Sequence, residues 1–321
     1  MKYCLTSLIF SPKIFPSFSN PVTFPLNKKQ DSPKLYRMKK YSFVKMNGAG
    51  NDFIVFNKDE AAGLQFSPSF IKKLCDRRFG IGADGVITVA KSEVHDFEME
   101  YFNADGTTGT LCGNGARCAI QFAEKFSISK GKSVKFLSNG VNFSGNVLED
   151  GLVKFNLNDP ETLKENFLLN ISGSEINANF IDTGSPHVVF FLDDPTLKEF
   201  NLNGQHKSID DFPVFSFGKE VRYLNDFAPA GTNVNFLEIR DSKIYIRTYE
   251  RGVEDETLAC GTGSVASAII TYLQKQIPPP LTLVTRGGDK LIVDFSAEGT
   301  IIKNVSLTGP AKINFTGEYT F

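Results

Sequence analysis

The chain has 321 residues, of which 41% are apolar, and its 35 lysines and arginines nearly balance its 36 aspartates and glutamates. This size and composition are typical of a soluble globular protein with one or two domains. A net charge near zero gives no positive field for nucleic acid or an anionic membrane surface, so we expect a small molecule as the partner instead. The strongest apolar run, at Val188, has only the length of a strand, which excludes a helical membrane span.

Cysteine and histidine spacing gives no pattern of a disulfide framework or a metal site. The three histidines are too far apart in sequence for a local metal-binding motif, so we expect no metal. Few, irregularly spaced cysteines in a chain this long predict reduced thiols and a cytoplasmic location. These residues are His95, His187, His206, Cys4, Cys75, Cys112, Cys118 and Cys260.

The N-terminal segment, residues 1–37, differs in composition from the rest of the chain. It is rich in Pro, Ser, Phe and Lys, has a single acidic residue, Asp31, and shows no helical or alternating period, which predicts disorder. Three explanations remain open: an upstream start codon with Met38 as the functional first residue, an organellar transit peptide, or a secretory signal. The last is weakest, because its apolar stretch is short and no small-residue cleavage site follows cleanly.

From Lys39 onward, short β-rich runs alternate with glycine and Asn-Gly turns, which predicts a body made mostly of strands. In chain order the runs are YSFVKM, DFIVF, GVITVA, VKFNL, HVVFF, NVNFLEI, KIYIRTYE, KLIVDF and GTIIKNVSL. Apolar periodicity predicts two amphipathic helices, at about 115–126 and 263–275, and a weaker helix at about 67–78.

The two stronger helices belong to an internal repeat. TLCGNG precedes the first and TLACGTG precedes the second, so Cys112 and Cys260 occupy equivalent places. Further upstream, GAGNDFIVF and GSPHVVF each lead from a glycine-containing turn into a strand. A repeat of this kind predicts two halves with the same fold.

A Cys-Gly-x-Gly turn at a helix start has a specific chemistry. The first-turn N–H groups lack partners within the helix and carry partial positive charge, so they bind a carboxylate and lower the pKa of a nearby thiol. A single motif of this kind is more often a buried cysteine in a tight turn. Two copies in paired positions favour a cleft in which a substrate carboxylate lies between two helix starts. Proton removal by one thiol and proton return by the other suit that arrangement.

Seven segments in a fixed order resemble the diaminopimelate epimerase family of PLP-independent amino-acid epimerases. The resemblance covers about residues 38–317, and the ordered combination is highly specific although each segment alone is weak. The segments are KMNGAGNDF from Lys45, DRRFGIGADG from Asp76, FNADGTTGTLCGNGARC from Phe102, TGSPHVV from Thr183, AGTNVNF from Ala230, TYERGVEDETLACGTGSVA from Thr248 and LTGPAKINFTG from Leu307.

By this resemblance, Cys112 and Cys260 are the two acid/base residues, one removing the α-proton while the other donates from the opposite face. His187 and Glu250 match family positions that tune the protonation of the thiols. The resemblance implies no cofactor and no metal, and a homodimer. The implied substrate contacts are Asn51, Asn103, Gly113, Asn114, Asn233, Glu250, Arg251, Gly261 and Thr262.

The resemblance also implies the fold. It is an α/β fold with two pseudo-twofold-related domains, each a β-sheet or barrel wrapped around a central helix. We expect a first domain at 38–157, completed by a C-terminal strand at 306–321, and a second domain at 158–305, with 1–37 as a disordered extension.

The implied substrate contacts also have structural interpretations. An asparagine in a turn, such as Asn51, often bonds only nearby backbone, although a zwitterionic substrate needs such neutral donors and acceptors. Arg251 suits a surface ion pair or the capture of the distal end of a two-ended amino acid. His187 follows a proline and is more often a structural hydrogen-bonding residue than a direct catalyst. Cys75 and Cys118 have no paired counterpart and are expected to be bystanders, as is Cys4.

Four positions depart from the family pattern. Ser185 stands where many members have Asn, and Gly85 stands where some have a substrate-contacting Gln, so neither is expected to contact substrate in the same way. The ERGVEDETLAC segment is one residue longer than the common form, which predicts a shifted loop between Arg251 and Cys260. Phe315 replaces a common interface Tyr and removes one hydroxyl contact from the expected dimer.

The resulting hypothesis is an epimerase that converts LL-2,6-diaminopimelate to the meso form in lysine biosynthesis. The alternative within the same chemistry is a cofactor-free racemase of the proline or hydroxyproline type, for which a distal clamp at Arg251 has little use. A hypothesis from another class is a redox or anion-binding module without catalysis, because paired cysteines near helix starts are also sensitive to oxidation. Exchange of the substrate α-proton separates catalysis from binding.

Overall fold

The computed structural model describes residues 39–109, 112–200, 206 and 208–320. The disorder predicted for 1–37 falls outside these residues. The predicted helices are confirmed within two residues at most ends, as are the β-rich runs. The helices are α1 Pro68–Cys75, α2 Gly113–Lys125, α3 Pro195–Phe200, α4 Val214–Arg222 and α5 Gly261–Lys275, with a short 3₁₀ turn at Asn225–Phe227.

Strands make up most of the described chain. The first seven are β1 Lys40–Gly48, β2 Asn51–Asn57, β3 Gly85–Ala90, β4 Phe97–Asn103, β5 Ser133–Ser138, β6 Val141–Val147 and β7 Val153–Asn156. The rest are β8 Glu161–Ile171, β9 Ser174–Asp182, β10 Pro186–Phe191, β11 Asn233–Arg240, β12 Lys243–Glu250, β13 Asp255–Thr257, β14 Leu281–Val284, β15 Lys290–Glu298, β16 Ile301–Gly309 and β17 Lys312–Thr320.

Strand pairing shows the repeat that the paired motifs predict. In the first half the order is β17-β1-β2-β3-β4-β5-β6-β7, and in the second it is β8-β9-β10-β11-β12-β14-β15-β16. In both series the third and fifth pairings are parallel and the others are antiparallel. The two halves therefore share one topology, with β17 in the place that β8 takes.

Each half encloses a central helix, as a parallel pairing requires a crossover connection. Helix α2 connects β4 to β5, and α5 lies between β12 and β14. Residues on nearly every side of both helices are buried, which is typical of a helix surrounded by its own domain. In the first half, the sheet approaches α2 closely: a Cβ on Gly145 would lie 2.5 Å from Cδ1 of Ile120.

Two strand pairings join the halves into one continuous sheet. Strand β16 pairs with β7 across the boundary, and β17 then returns to pair with β1, so Lys40 lies opposite Thr320. The strand beside β1 is Lys312–Thr320, whereas residues 306–309 of the expected C-terminal strand belong to β16. Among the described residues, no helix is both long enough and apolar enough to cross a membrane.

Candidate active site

The two catalytic candidates, Cys112 and Cys260, are the N-cap residues of α2 and α5, so each sulfur lies beside the first-turn N–H groups of its own helix. The two helix starts meet: a Cβ on Gly261 would lie 3.4 Å from the Cα atom of Gly113. Glycine at both positions permits this approach. The first-turn N–H groups of both helices thus converge from the two halves, where they can bind a single carboxylate.

A cavity of about 270 Å³ adjoins these helix starts. Gly113 and Thr262 line it on the helix side, and Phe143 and Leu157 line its apolar wall. Neither Cys112 nor Cys260 lines this cavity, so it borders the two helix starts without reaching the thiols.

Cys112 is partly exposed and lies beside two amides. Its thiol donates to Oδ1 of Asn51 at 3.4 Å, and Nδ2 of Asn114 reaches the same oxygen at 3.4 Å. Burial raises the pKa of Cys112 to about 11, while the backbone N–H groups of Gly115 and Asn114 act in the opposite direction. The thiol is therefore protonated at neutral pH in the absence of substrate.

Cys260 is buried and lies beside a hydroxyl group. Its sulfur is 3.6 Å from Oγ1 of Thr262, and that oxygen is 2.9 Å from Nε2 of His187 and 3.1 Å from Oγ of Ser185. Burial raises the pKa of Cys260 well above its usual value, and the Thr262 contact opposes that rise. The hydroxyl of Ser185 is thus engaged with His187 and Thr262.

His187 is fully buried and neutral, because burial lowers its pKa to about 3, with Arg251 adding to the effect. Its tautomer follows from Asn235, whose Nδ2 donates both to the carbonyl of Val188 at 2.9 Å and to Nδ1 of His187 at 3.1 Å. A carbonyl only accepts, so this end of the amide is the NH2 group and Nδ1 is an acceptor. The hydrogen is therefore on Nε2, which faces Thr262.

The turn after β12 contains Arg251, and Asn233 of β11 lies beside it. The backbone N–H of Arg251 donates to Oδ1 of Asn233 at 2.9 Å, and Nδ2 of Asn233 donates to the carbonyl of Pro186 at 2.9 Å. Asn233 therefore fixes this turn against β10. The Arg251 side chain makes no hydrogen bond or ion pair with the described part of the chain and remains available for a ligand.

Glu250 is half-buried, and its only side-chain hydrogen bond within the described residues comes from Thr257 at 2.8 Å. Burial raises its pKa to about 7. Its charge also raises the pKa of both Cys112 and Cys260. Glu250 is thus the acidic group whose ionisation near neutral pH acts on both thiols.

The longer ERGVEDETLAC segment forms a tight hairpin between β12 and β13. Glu250 pairs with Asp255, and Glu254 in the intervening turn has a left-handed backbone with φ 59°. The Glu254 side chain also accepts from Arg222 at 3.1 Å and thereby fixes the hairpin to α4.

Two other predicted positions lie at the ends of paired strands. Asn103 ends β4 and donates to Oγ1 of Thr107 at 3.0 Å, so it stabilises its own turn. Gly85 begins β3, and a Cβ there would lie 2.6 Å from the carbonyl oxygen of Phe102 and 2.7 Å from the ring of Tyr101. A glutamine would not fit at this position without displacement of the neighbouring strand.

The other two cysteines among the described residues lie away from the helix starts. Cys75 and Cys118 are buried in the core, and burial raises their pKa values to about 11 and about 12. Within the described ranges, no cluster of three or more His, Cys, Asp or Glu side chains is arranged to hold a metal ion.

Sequence patterns did not single out several residues that surround the site. Asn235 was signalled by its i, i+2 spacing from Asn233, which places both on one face of β11. Asp84 and Arg117 lie within the segments DRRFGIGADG and FNADGTTGTLCGNGARC, but their partners are distant in sequence, so no local pattern indicated what they contact. Thr183, whose hydroxyl donates to the carbonyl of Thr262 at 3.0 Å, was also missed.

Comparison with known proteins decides the family. A family model described as diaminopimelate epimerase matches residues 43–163 and 179–313. The diaminopimelate epimerase of Chlorobaculum tepidum is 37% identical over 279 residues, covering 86% of this chain and 100% of that protein. That of Flavobacterium psychrophilum is 38% identical over 273 residues, covering 84% and 97%. The chain belongs to the diaminopimelate epimerase family. It is an isomerase that acts as an epimerase, as the ordered segments predicted.

Solved structures confirm the fold class. A probable proline racemase from Agrobacterium radiobacter superposes with a TM-score of 0.67 at 13% identity, covering 86% of this chain and 92% of that one. A PhzF-family phenazine biosynthesis protein from Bacillus anthracis gives 0.65 at 15% identity, covering 88% and 100%. At such low identity the likeness shows the two-domain fold of the family and nothing about substrate.

Proposed function

We propose that the protein converts LL-2,6-diaminopimelate to meso-diaminopimelate without a cofactor, with Cys112 and Cys260 as the two acid/base residues. The observation that carries the proposal is the convergence of two cysteine-capped helix starts from two like-folded halves. One thiolate removes the α-proton from one face of the carbon, and the thiol on the other face returns a proton.

Because both thiols are largely buried, the negative charge that develops on the substrate during proton removal must be stabilised by groups of the site. A thiol with a raised pKa is a stronger base once ionised, but negative charge develops on the substrate carboxylate as the proton leaves. The first-turn N–H groups at Gly113, Asn114, Gly261 and Thr262 are fixed donors for that charge. Positioned backbone dipoles of this kind act without reorganisation during the reaction.

The distal end of the substrate supplies the second part of the proposal. Diaminopimelate carries an ammonium and a carboxylate at each end, so a selective site needs groups for both ends. Arg251 has a free guanidinium for the distal carboxylate, and Glu250 provides an acceptor for an ammonium. Asn51, Asn103 and Asn233 complete the polar wall and are proposed to use the donor or acceptor positions that their structural bonds leave open.

The alternative is a racemase of the proline or hydroxyproline type, since a hydroxyproline epimerase from Agrobacterium vitis shares the fold with a TM-score of 0.62. Proline has no distal carboxylate for Arg251. A redox or anion-binding module without catalysis predicts no exchange of any substrate α-proton.

The deciding experiment follows turnover of LL-diaminopimelate by the pure full-length protein in deuterium oxide, without added PLP. Meso product should carry deuterium at one α-carbon from the first turnovers, while unreacted substrate stays mostly unlabelled, because the returning proton comes from a thiol that has equilibrated with solvent. Unlabelled meso product at low conversion would indicate a single base. Turnover of proline but not of diaminopimelate would favour the alternative.

Family membership also supports lysine biosynthesis as the pathway and a homodimer as the assembly. Exposed Ile313 and Phe315 lie on β17, which pairs only with β1 among the described residues, and provide an apolar surface for such a dimer. A mechanism that needs two free thiols at one carbon requires a reducing compartment, which supports the cytoplasm. The limits 38–157 with 306–321, and 158–305, remain our proposed domain boundaries.

A further inference from the structure

Asn51 has a side-chain amide whose orientation is fixed by a carboxylate. Its Nδ2 donates to Oδ2 of Asp84 at 2.7 Å. An ionised carboxylate only accepts hydrogen bonds, so this end of the amide must be the NH2 group. The opposite end, Oδ1, consequently faces the Cys112 thiol and Asn114.

Asn114 has an amide whose orientation is fixed by a guanidinium group. Nη2 of Arg117 donates to Oδ1 of Asn114 at 2.9 Å, and a guanidinium only donates. Nδ2 of Asn114 consequently faces the carbonyl of Ala259 at 3.0 Å and Oδ1 of Asn51 at 3.4 Å. The bond to Ala259 ties this amide to the residue before Cys260, in the other half.

These contacts form one chain in which every donor points the same way, from Arg117 to Asn114, to Asn51 and to Asp84. We propose that Arg117 and Asp84 are positioning residues whose guanidinium N–H and carboxylate oxygen orient the two amides and keep an oxygen, rather than an NH2 group, against the Cys112 thiol. The proposal rests on the function proposed above, in which Cys112 is one of the two acid/base residues.

Arg117, one end of the chain, is firmly held. Its side chain is fully buried, and none of the described acidic side chains forms an ion pair with it. Its other donors bond the carbonyls of Gly113 at 3.3 Å and Pro310 at 3.4 Å. A Cβ on Gly309 would lie 3.3 Å from its Nε, so the surroundings leave it little room. A buried cation without a carboxylate is costly, which makes a purely packing role a poor explanation.

Asp84, the other end, is held from several sides. Its Oδ1 accepts from Nη2 of Arg77 at 2.7 Å, and its Oδ2 accepts from the backbone N–H of Asp52 at 3.1 Å as well as from Asn51. Since two donors converge on Oδ2, a neutral Asn at 84 would keep its oxygen there. Asp84→Asn therefore removes the charge but retains the acceptor, and Asp84→Ala removes both.

The orientation of Asn51 has a defined effect on Cys112. An oxygen beside the sulfur accepts from the S–H group and stabilises the protonated thiol, whereas an NH2 group would donate to the thiolate and lower the pKa of Cys112. A hydrogen bond of ordinary strength changes the thiolate fraction at a fixed pH by about 2- to 10-fold. Loss of the hydrogen bonds that orient Asn51 should therefore make Cys112 more reactive.

The test is the rate at which iodoacetamide alkylates Cys112 at fixed pH, followed by mass spectrometry of its peptide, with Cys260 in the same samples as the internal control. Relative to Asp84→Asn, Asp84→Ala should alkylate Cys112 about 2- to 10-fold faster and leave Cys260 unchanged. Arg117→Lys, which keeps the positive charge but loses the guanidinium fork, should act in the same direction. Arg77→Gln, which leaves Asp84 and Asn51 in place, should change the rate less than Asp84→Ala does.

Equal Cys112 rates in Asp84→Ala and Asp84→Asn would overturn the proposal, as would an equal acceleration at Cys260. The Asp84 side chain is 42% exposed, so its variants should fold. The comparison of Asp84→Ala with Asp84→Asn therefore tests the proposal even if Arg117→Lys gives no cooperative thermal transition. Because alkylation needs no substrate, its outcome is separate from the epimerisation assay. Loss of the Asp84 effect would leave the proposed reaction intact.

Discussion

The two thiols occupy equivalent places in a duplicated backbone but have different neighbours. Cys112 lies against the amide oxygen of Asn51, which is oriented by hydrogen bonds that end at Arg117 and Asp84. Cys260 lies against the hydroxyl of Thr262, which contacts the neutral His187. In the first arrangement the sulfur is a donor, and in the second Thr262 can donate to the sulfur while it accepts from Nε2 of His187. The two halves share one backbone topology, and their different side chains make the two thiols unequal.

This difference suits an epimerase, because its forward and reverse reactions start from different stereoisomers. A symmetric site would treat the proton on either face alike. Here the amide oxygen of Asn51 favours the protonated form of Cys112, whereas the hydroxyl of Thr262 opposes the rise that burial causes in the pKa of Cys260. The comparison leads to four expectations, given from the largest effect to the smallest.

The largest effect should come from either thiol alone. Cys112→Ala and Cys260→Ala should each reduce epimerisation by about 10³-fold or more, since inversion needs a proton carrier on both faces. Cys118→Ala is the matched control, because Cys118 lies in α2 but in the core, and it should retain turnover. Appreciable epimerisation by either variant would show that one thiol serves both faces.

Arg251 has no counterpart in the first half, where Ala104 follows β4. Arg251→Ala should lower kcat/KM for diaminopimelate by about 10- to 150-fold, as expected from the loss of a charge-assisted pair worth about 1.5 to 3 kcal/mol. Arg251→Lys keeps the charge but not the two-pronged guanidinium, so its kcat/KM should lie between those of Arg251→Ala and the wild type. Unchanged kcat/KM would place the distal carboxylate elsewhere.

Asn235→Asp tests the neighbours of Cys260. A carboxylate beside Nδ1 of His187 can only accept a hydrogen bond, so it would favour the tautomer with the hydrogen on Nδ1 and leave Nε2 as an acceptor for the Thr262 hydroxyl. Thr262 would then donate to His187 instead of the sulfur, so the pKa of Cys260 should rise and kcat should fall about 2- to 10-fold. Alkylation of Cys260 should slow while that of Cys112 does not. Equal slowing at both thiols would mean that the added charge, not the tautomer, is responsible.

The smallest effect should be common to both thiols. With a pKa of about 7, Glu250 is mostly protonated below pH 7 and ionised above it, where its charge raises both thiol pKa values. Glu250→Gln should therefore accelerate alkylation of both thiols above pH 7, by less than about 10-fold, and have little effect below it. Asp255→Asn, at an exposed neighbouring position, is the control. A change confined to one thiol would contradict the shared effect.

The paired turns were sufficient to predict the helix positions, the two halves and the meeting of the two helix starts, because each of these follows from local pattern and repetition. Strand order could not be obtained in this way. The pairing of β7 with β16 depends on packing between segments far apart in sequence, which no local period encodes. The same limit applies to the site: Asp84 and Arg117 act through Asn51 and Asn114 only after the chain has folded.

The return of β17 to β1 bears on the order in which the protein is completed during synthesis. Strands β8 to β16 are continuous in sequence, so the second half can assemble as soon as residues up to Gly309 have left the ribosome. The first half, although made earlier, keeps an open strand edge at β1 until Lys312–Thr320 arrives last. Exposed edges of this kind promote aggregation of nascent chains. The part of the protein that is translated first is therefore the part that waits longest for its final strand.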